Sequence, residues 1–146
     1  MSESDFHINI VDWQQHKSDL REIRTRVFIQ EQQVPEELEW DEEDNSCLHI
    51  LVLTTTGKAV ATARLLANGQ IGRMAVLQDY RHRGIGKRML ESLLQQAKRM
   101  DLDQVFLNAQ IDAVDFYKPF GFTETGSRFN DAGIQHIRMI KSLYGN

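Results

Sequence analysis

The sequence predicts an α/β fold with a central mixed sheet of about six to seven strands flanked by helices. Three apolar segments joined by turn signals between residues 49 and 77 predict an antiparallel meander. A long amphipathic helix and a further strand follow, and this order predicts a right-handed crossover with parallel pairing. The length of 146 residues fits one domain over residues 1–146.

The N-terminal region predicts a strand and then a helix. Residues 6–11, FHINIV, predict the strand, and Asp12 is placed to cap the helix that follows. The apolar residues at helical spacing are Leu20, Ile23 and Val27. The arginines Arg21, Arg24 and Arg26 fall mostly on the other faces. Pro35 and an acidic run end the helical region.

The meander and the crossover occupy the middle of the chain. Its strands are predicted at residues 49–54, 59–66 and 71–77. The long helix begins near Ile85 and ends near Met100. Its apolar stripe contains Ile85, Met89, Leu90, Leu93, Leu94 and Ala97. Residues 104–109, QVFLNA, predict the next strand.

The C-terminal region predicts a short helix and a hairpin. The helix is expected around residues 112–118 and should stop at Pro119, because proline disfavours helical geometry at Lys118. Residues 121–126 and 136–141 predict two more strands that pair as a hairpin.

Charge and composition narrow the function classes. The net charge is −4, yet residues 36–44, EELEWDEED, hold seven carboxylates and no base. This run is either a solvated loop or a negative field that attracts a cationic substrate such as an amine. Scattered basic residues and a pI of about 5.7 argue against nucleic-acid binding. With no apolar run of about 20 residues and a single Cys47, we expect no membrane span, no Cys-based metal site and a cytoplasmic location.

The stretch YRHRGIGKRML, residues 80–90, predicts an anion-binding loop at the start of the long helix. The first turn of a helix has unpaired N–H groups and partial positive charge, and Gly84 and Gly86 allow close approach of ligand oxygens. The basic residues nearby are Arg81, Arg83, Lys87 and Arg88. A Walker motif is absent, and Met89 replaces the third glycine of a dinucleotide fingerprint. The alternative is a loop that merely turns the chain.

Two motifs in this order resemble the GNAT superfamily of acyl-CoA-dependent N-acyltransferases. The family pattern [R/Q]-x-x-G-x-[G/A] occurs as residues 81–86, and Tyr117 precedes Gly121-Phe122 at the family's Y-x-x-x-G-F spacing. The pattern R-x-x-V-F-x-x-E-Q at residues 24–32, the later acidic stretch and G-I-x-H-I at 133–137 resemble the ElaA/YjcF-type branch.

The resemblance implies the GNAT fold, with acetyl-CoA held in a V-shaped gap between the fourth and fifth strands and no metal. Pantetheine amides would pair with the backbone of Met74, Ala75 and Val76. The loop expected to clasp the pyrophosphate consists of His82, Arg83, Gly84, Ile85, Gly86 and Lys87. Arg81 would orient this loop, and Asn108 would line the pantetheine arm.

The implied reaction is N-acetyl transfer to a primary amine by direct attack. The amine arrives mostly protonated, so a base must take its proton, and the CoA thiolate needs an acid. Tyr117 matches the family's general acid, although it could instead be a core aromatic. The base candidates are Glu31, His49 and His136, each of which could instead be structural, or a water chain ending on the acidic run.

Three rival functions remain, one of which is a dimerising structural protein that nothing in the sequence favours over catalysis. A non-catalytic acyl-CoA-binding or sensor module would keep the loop and lose turnover. A nucleic-acid-binding domain would use residues 81–88 as a basic patch. A homodimer is an expectation from family analogy alone.

Overall fold

The computed structural model describes residues 5–144 and shows a seven-stranded mixed sheet flanked by helices, as predicted. The strand order is β1-β2-β3-β4-β5-β7-β6, and within residues 5–144 only β4 and β5 pair in parallel. The strands are β1 (Phe6–Val11), β2 (Leu48–Thr54), β3 (Ala59–Leu65), β4 (Gln70–Val76), β5 (Gln104–Gln110), β6 (Thr123–Asp131) and β7 (Ile134–Ser142). The predicted meander, crossover and hairpin are therefore confirmed.

Helices cover both faces of the sheet. They are α1 (Trp13–Arg24), α2 (Glu36–Glu39), α3 (Ile85–Arg99) and α4 (Val114–Tyr117), with a π-helical segment at Thr25–Glu31 and short 3₁₀ turns elsewhere. Asp12 caps α1, because its Oδ1 accepts the Gln15 amide at 2.8 Å. None of the helices in the described residues is long and apolar enough to span a membrane.

Two hydrophobic clusters lie on opposite faces of the sheet. Ile50 and Val52 of β2 belong to the cluster beneath α3, whereas Leu51 belongs to the cluster beneath α1. This alternation follows from the two-residue period of a strand. The α3 residues Met89, Leu90 and Leu93 are fully buried, so the predicted apolar stripe does face the sheet.

The sheet divides between β4 and β5. These strands pair only at Gln70 with Phe106 and at Ile71 with Leu107, and beyond these positions they separate. The β3–β4 register also shifts between Thr62 and Arg64, where Arg73 has a positive φ of 50°. A bulge therefore lies in β4 at the point where the strands part.

The α-helix α4 ends at Tyr117, before Pro119 as predicted, but the expectation that Lys118 leaves helical geometry is wrong. Lys118 is helical, with φ −56° and ψ −44°, and a 3₁₀ turn continues over Lys118–Phe120. Proline is tolerated in the first turn of a new helical segment, where its missing N–H has no partner to lose. The turn ends instead at Gly121, whose φ of 96° favours glycine.

Candidate active site

A cleft of about 270 Å³ occupies the opening between β4 and β5. Its walls come from both strands, the α2 region, α4 and the β6–β7 turn. The polar residues lining it are Gln32, Glu39, Gln70, Arg73, Asn108, Gln110, Tyr117, Asp131 and His136. Such a concave site with convergent polar groups at a break in the sheet is the expected place for a ligand.

Tyr117 projects from α4 into this cleft. Its hydroxyl lies 3.6 Å from Met74 Sδ, and its ring makes edge contacts with Phe116 and Phe122. Burial raises the pKa of Tyr117 to about 12. The phenol is therefore protonated over the neutral range, which is the state that a proton donor needs.

The backbone positions that the sequence predicts to pair with pantetheine lie on β4, at its edge toward the cleft. Leu77 donates its amide to Val60 O on β3, so strand alternation directs the amide of Val76 toward the opening, and Met74 lies at the bulge and lines the cleft. Ala75, between them, pairs with Thr62 of β3. The carbonyl of Val76 already accepts a hydrogen bond from Arg81 Nε at 2.9 Å.

The glycine-rich loop leaves amides available at the start of α3. Within residues 5–144, the amides of Gly84, Ile85, Gly86 and Lys87 donate to no backbone carbonyl. Gly84 has a φ of 81°, and a Cβ there would find nothing within 4 Å. The residues present thus fit a phosphate ligand, since open space meets unpaired N–H groups at a helix N-terminus.

Arg81 and Glu31 form an ion pair beside this loop. Two hydrogen bonds of 2.6 Å join the guanidinium to the carboxylate, and Arg81 holds the end of β4 as well. The hydrogen bond from Arg81 lowers the pKa of Glu31. Glu31 is not among the residues that line the cleft.

Much of the acidic run folds over buried arginines. Arg24 is 1% exposed, and its guanidinium donates to Glu39 Oε2 at 2.8 Å and to Asp44 Oδ1 at 2.8 Å. Arg64 binds Asp41 and Asp44 through bonds of 2.7 and 2.8 Å. The solvated-loop interpretation is therefore wrong for the buried Glu39 and Asp44. The prediction that Arg24 lies on a polar face of its helix is wrong as well.

His49 lies in this ionic cluster and away from the cleft. It is 1% exposed, and its Nε2 is 3.0 Å from Asp44 O and 3.4 Å from Cys47 Sγ. Burial lowers the pKa of His49 and raises the pKa of Cys47 to about 11. Ligand atoms of Asp44, Cys47 and His49 lie within 4.8 Å of one another, but Arg24 and Arg64 already bind the Asp44 carboxylate.

The structure brings Met74, Asn108, Tyr117 and His136 together around the cleft. His136 is buried on β7, and its Nδ1 is 2.7 Å from Ile134 O. Sequence reasoning missed other cleft residues. Among these, Gln110 donates to Gln32 Oε1 at 2.9 Å, and Glu39 belongs to the acidic run without any distinguishing local pattern.

Comparisons with known proteins match this architecture. Residues 14–143 match the family model described as an acetyltransferase (GNAT) domain. The uncharacterized N-acetyltransferase YjcF of Bacillus subtilis is 37% identical over 123 residues, which cover 82% of this chain and 87% of YjcF.

Two solved structures are also similar. An acyl-CoA N-acyltransferase from Pseudomonas aeruginosa has a TM-score of 0.81 at 29% identity, covering 94% of this chain and 99% of that one. The Escherichia coli ElaA structure has a TM-score of 0.83 at 26% identity, covering 93% of this chain and 99% of that one.

Proposed function

The chain belongs to the GNAT acetyltransferase domain family, and we propose that it transfers an acetyl group from acetyl-CoA to a primary amine. Family membership makes it an acyltransferase, and the GNAT family uses acetyl-CoA as its co-substrate. The observation that carries the finer proposal is the cleft between β4 and β5, which has Tyr117 on its wall.

Three groups of residues support the proposed mode of acetyl-CoA binding. The unpaired amides of Gly84–Lys87 suit the pyrophosphate, together with His82, Arg83 and the positive end of α3. The amides of Met74 and Val76 suit the carbonyl groups of pantetheine, which would extend β4 as an added strand. Asn108 lines the opposite wall, on β5.

Arg81 supports the loop indirectly in this proposal. Its guanidinium binds Glu31 and Val76 O, so it fixes the loop against the end of β4. Because Val76 O is already an acceptor for Arg81, pantetheine would use the Val76 N–H. Phe116, whose Cζ would lie 3.4 Å from a Cβ on Gly86, limits side-chain size at that position.

Direct transfer follows from the proposed geometry. The amine nitrogen attacks the thioester carbonyl, the C–S bond breaks, and Tyr117 protonates the departing thiolate. The raised pKa of Tyr117, about 12, keeps its proton available up to strongly alkaline pH.

The test combines two measurements on the wild-type protein. Calorimetric titration should show acetyl-CoA binding, and an assay of CoA release should show turnover with at least one amine of a panel. Binding without turnover across the panel would favour the sensor module instead. Failure to bind acetyl-CoA would refute the proposed site.

A further inference from the structure

One buried carboxylate on the cleft wall has no role in the mechanism described so far. Glu39 is 3% exposed, yet it lines the cleft between β4 and β5. Its Oε2 accepts from Arg24 Nε at 2.8 Å and lies 3.1 Å from Arg73 Nε. Among the described residues, the hydrogen bonds to the Glu39 side chain involve Oε2, and none is formed with Oε1.

This carboxylate and the Tyr117 hydroxyl contact consecutive residues of β4. Glu39 binds the Arg73 side chain, and Tyr117 contacts the sulfur of Met74. Glu39 and Tyr117 both line the cleft, and both contact side chains of the bulged part of β4.

We propose that Oε1 of Glu39 is the general base that accepts a proton from the acceptor ammonium group. This assignment rests on the proposed amine transfer. An N–H bond of the ammonium breaks as the O–H bond on Glu39 forms, and the nitrogen lone pair then attacks the thioester carbon. The C–S bond breaks, the sulfur takes the Tyr117 proton, and the second nitrogen proton restores Tyr117. Glu39 releases its proton to solvent, so one proton is lost per transfer.

The surroundings of Glu39 suit this role better than those of the other base candidates. Both carboxylate oxygens of Glu31 accept hydrogen bonds from Arg81. His49 lies within the ionic cluster and does not line the cleft. Burial raises the pKa of Glu39, and the nearby Arg73, Arg24 and Arg64 oppose this rise in part. The carboxylate is therefore more basic than an ordinary glutamate, as a general base should be. His136 also lines the cleft and is the rival that the experiment must separate.

The test compares pH–rate profiles of wild type and Glu39→Gln with an alkylamine that the wild-type enzyme acetylates. At neutral pH the variant should lose about 10²- to 10⁴-fold in turnover. The deficit should shrink as pH approaches the amine's own pKa, because the substrate then arrives deprotonated. Acetyl-CoA affinity, measured by calorimetry, should stay within about threefold of wild type.

Two control variants separate chemistry from structure. Asp41→Asn disturbs pairing with Arg73, which Glu39 also binds, but Asp41 does not line the cleft, so this variant should keep the wild-type pH profile. If Glu39→Gln does not fold, Glu39→Asp retains the charge with a shorter reach and should lower turnover while keeping a wild-type pH slope.

Four results would overturn the assignment. A pH-independent loss in Glu39→Gln would indicate a structural role, and full activity would indicate none. The pH signature appearing in His136→Gln and not in Glu39→Gln would assign the base to His136. A wild-type enzyme that binds acetyl-CoA but acetylates no amine would refute the amine transfer itself, and the base assignment with it.

Discussion

Replacing Gly84 by aspartate tests whether the loop before α3 binds the diphosphate of acetyl-CoA. The substitution places a negative charge next to the free amides of Gly84–Lys87. The matched control is Gly84→Asn, which has nearly the same shape and no charge. Both residues tolerate the left-handed region better than other L-residues do, and a Cβ at this position has open space within 4 Å.

The size of the effect follows from Coulomb's law at hydrogen-bonding range. A carboxylate about 4 Å from one phosphate charge costs about 1 kcal/mol in bulk water and about 4 kcal/mol at the effective dielectric of a protein surface. Each 1.4 kcal/mol or so is tenfold in affinity. The dissociation constant of Gly84→Asp should therefore exceed that of Gly84→Asn by about 5- to 1000-fold.

Isothermal calorimetry with acetyl-CoA, in low and moderate salt, measures this difference. Thermal unfolding of both variants checks that they are equally folded. The difference in dissociation constant between the two variants should decrease only in part as salt is added. The Debye length at 0.1 M is about 10 Å, which exceeds the separation of about 4 Å between the two charges. Equal dissociation constants for the aspartate and asparagine variants would show that the diphosphate binds elsewhere.

Four further predictions address the acid, the ionic cluster, the Arg81 pair and the closed end of the cleft. Tyr117→Phe should lower kcat by about 10²- to 10⁴-fold and leave acetyl-CoA affinity near wild type; steady-state kinetics unchanged from wild type between about pH 7 and 10 would remove the acid role. Arg24→Met should cost about 3–5 kcal/mol in urea unfolding, because it strands buried carboxylates, and a loss below about 1 kcal/mol would contradict the buried network. Glu31→Gln should cost less than about 1 kcal/mol at neutral pH, since its partner Arg81 is 30% exposed. Because Arg81 lowers the Glu31 pKa, this contribution should vanish as pH falls through that lowered value, as unfolding at stepwise lower pH would reveal. Gly69→Ala should cost about 2 kcal/mol or more, because φ is 95° and a Cβ would lie 2.8 Å from a backbone oxygen of β5; an unchanged melting temperature would refute this.

Local physical chemistry accounts for what the sequence predicted well. The Asp12 cap, the apolar stripe of α3 and the turn residues between strands depend on neighbours within about four positions, and short-range patterns report these directly. The same holds for the loop at Gly84, where a flexible residue precedes a helix. These features predicted the meander, the crossover and the hairpin, and they placed a glycine-containing loop at the start of α3.

Long-range pairing explains what the sequence left unpredicted. Arg24 was expected on a polar face, because periodicity treats every charge as solvated. Its partners Glu39 and Asp44 are 15 and 20 residues away, so no local pattern could bury it. The cleft position of Glu39 depends equally on Arg73, a residue in a distant strand.

The π-helical segment over Thr25–Glu31 sets the direction in which the chain leaves the first helical region, and with it the position of Gln32. The segment's wider turns include the bond from the Gln32 amide to Val27 O, five residues back. One residue corresponds to about 100° of rotation about a helix axis. Deleting a single residue here to restore regular α-helix would turn Gln32 away from Gln110, which makes chain length in this segment a determinant of the cleft's shape.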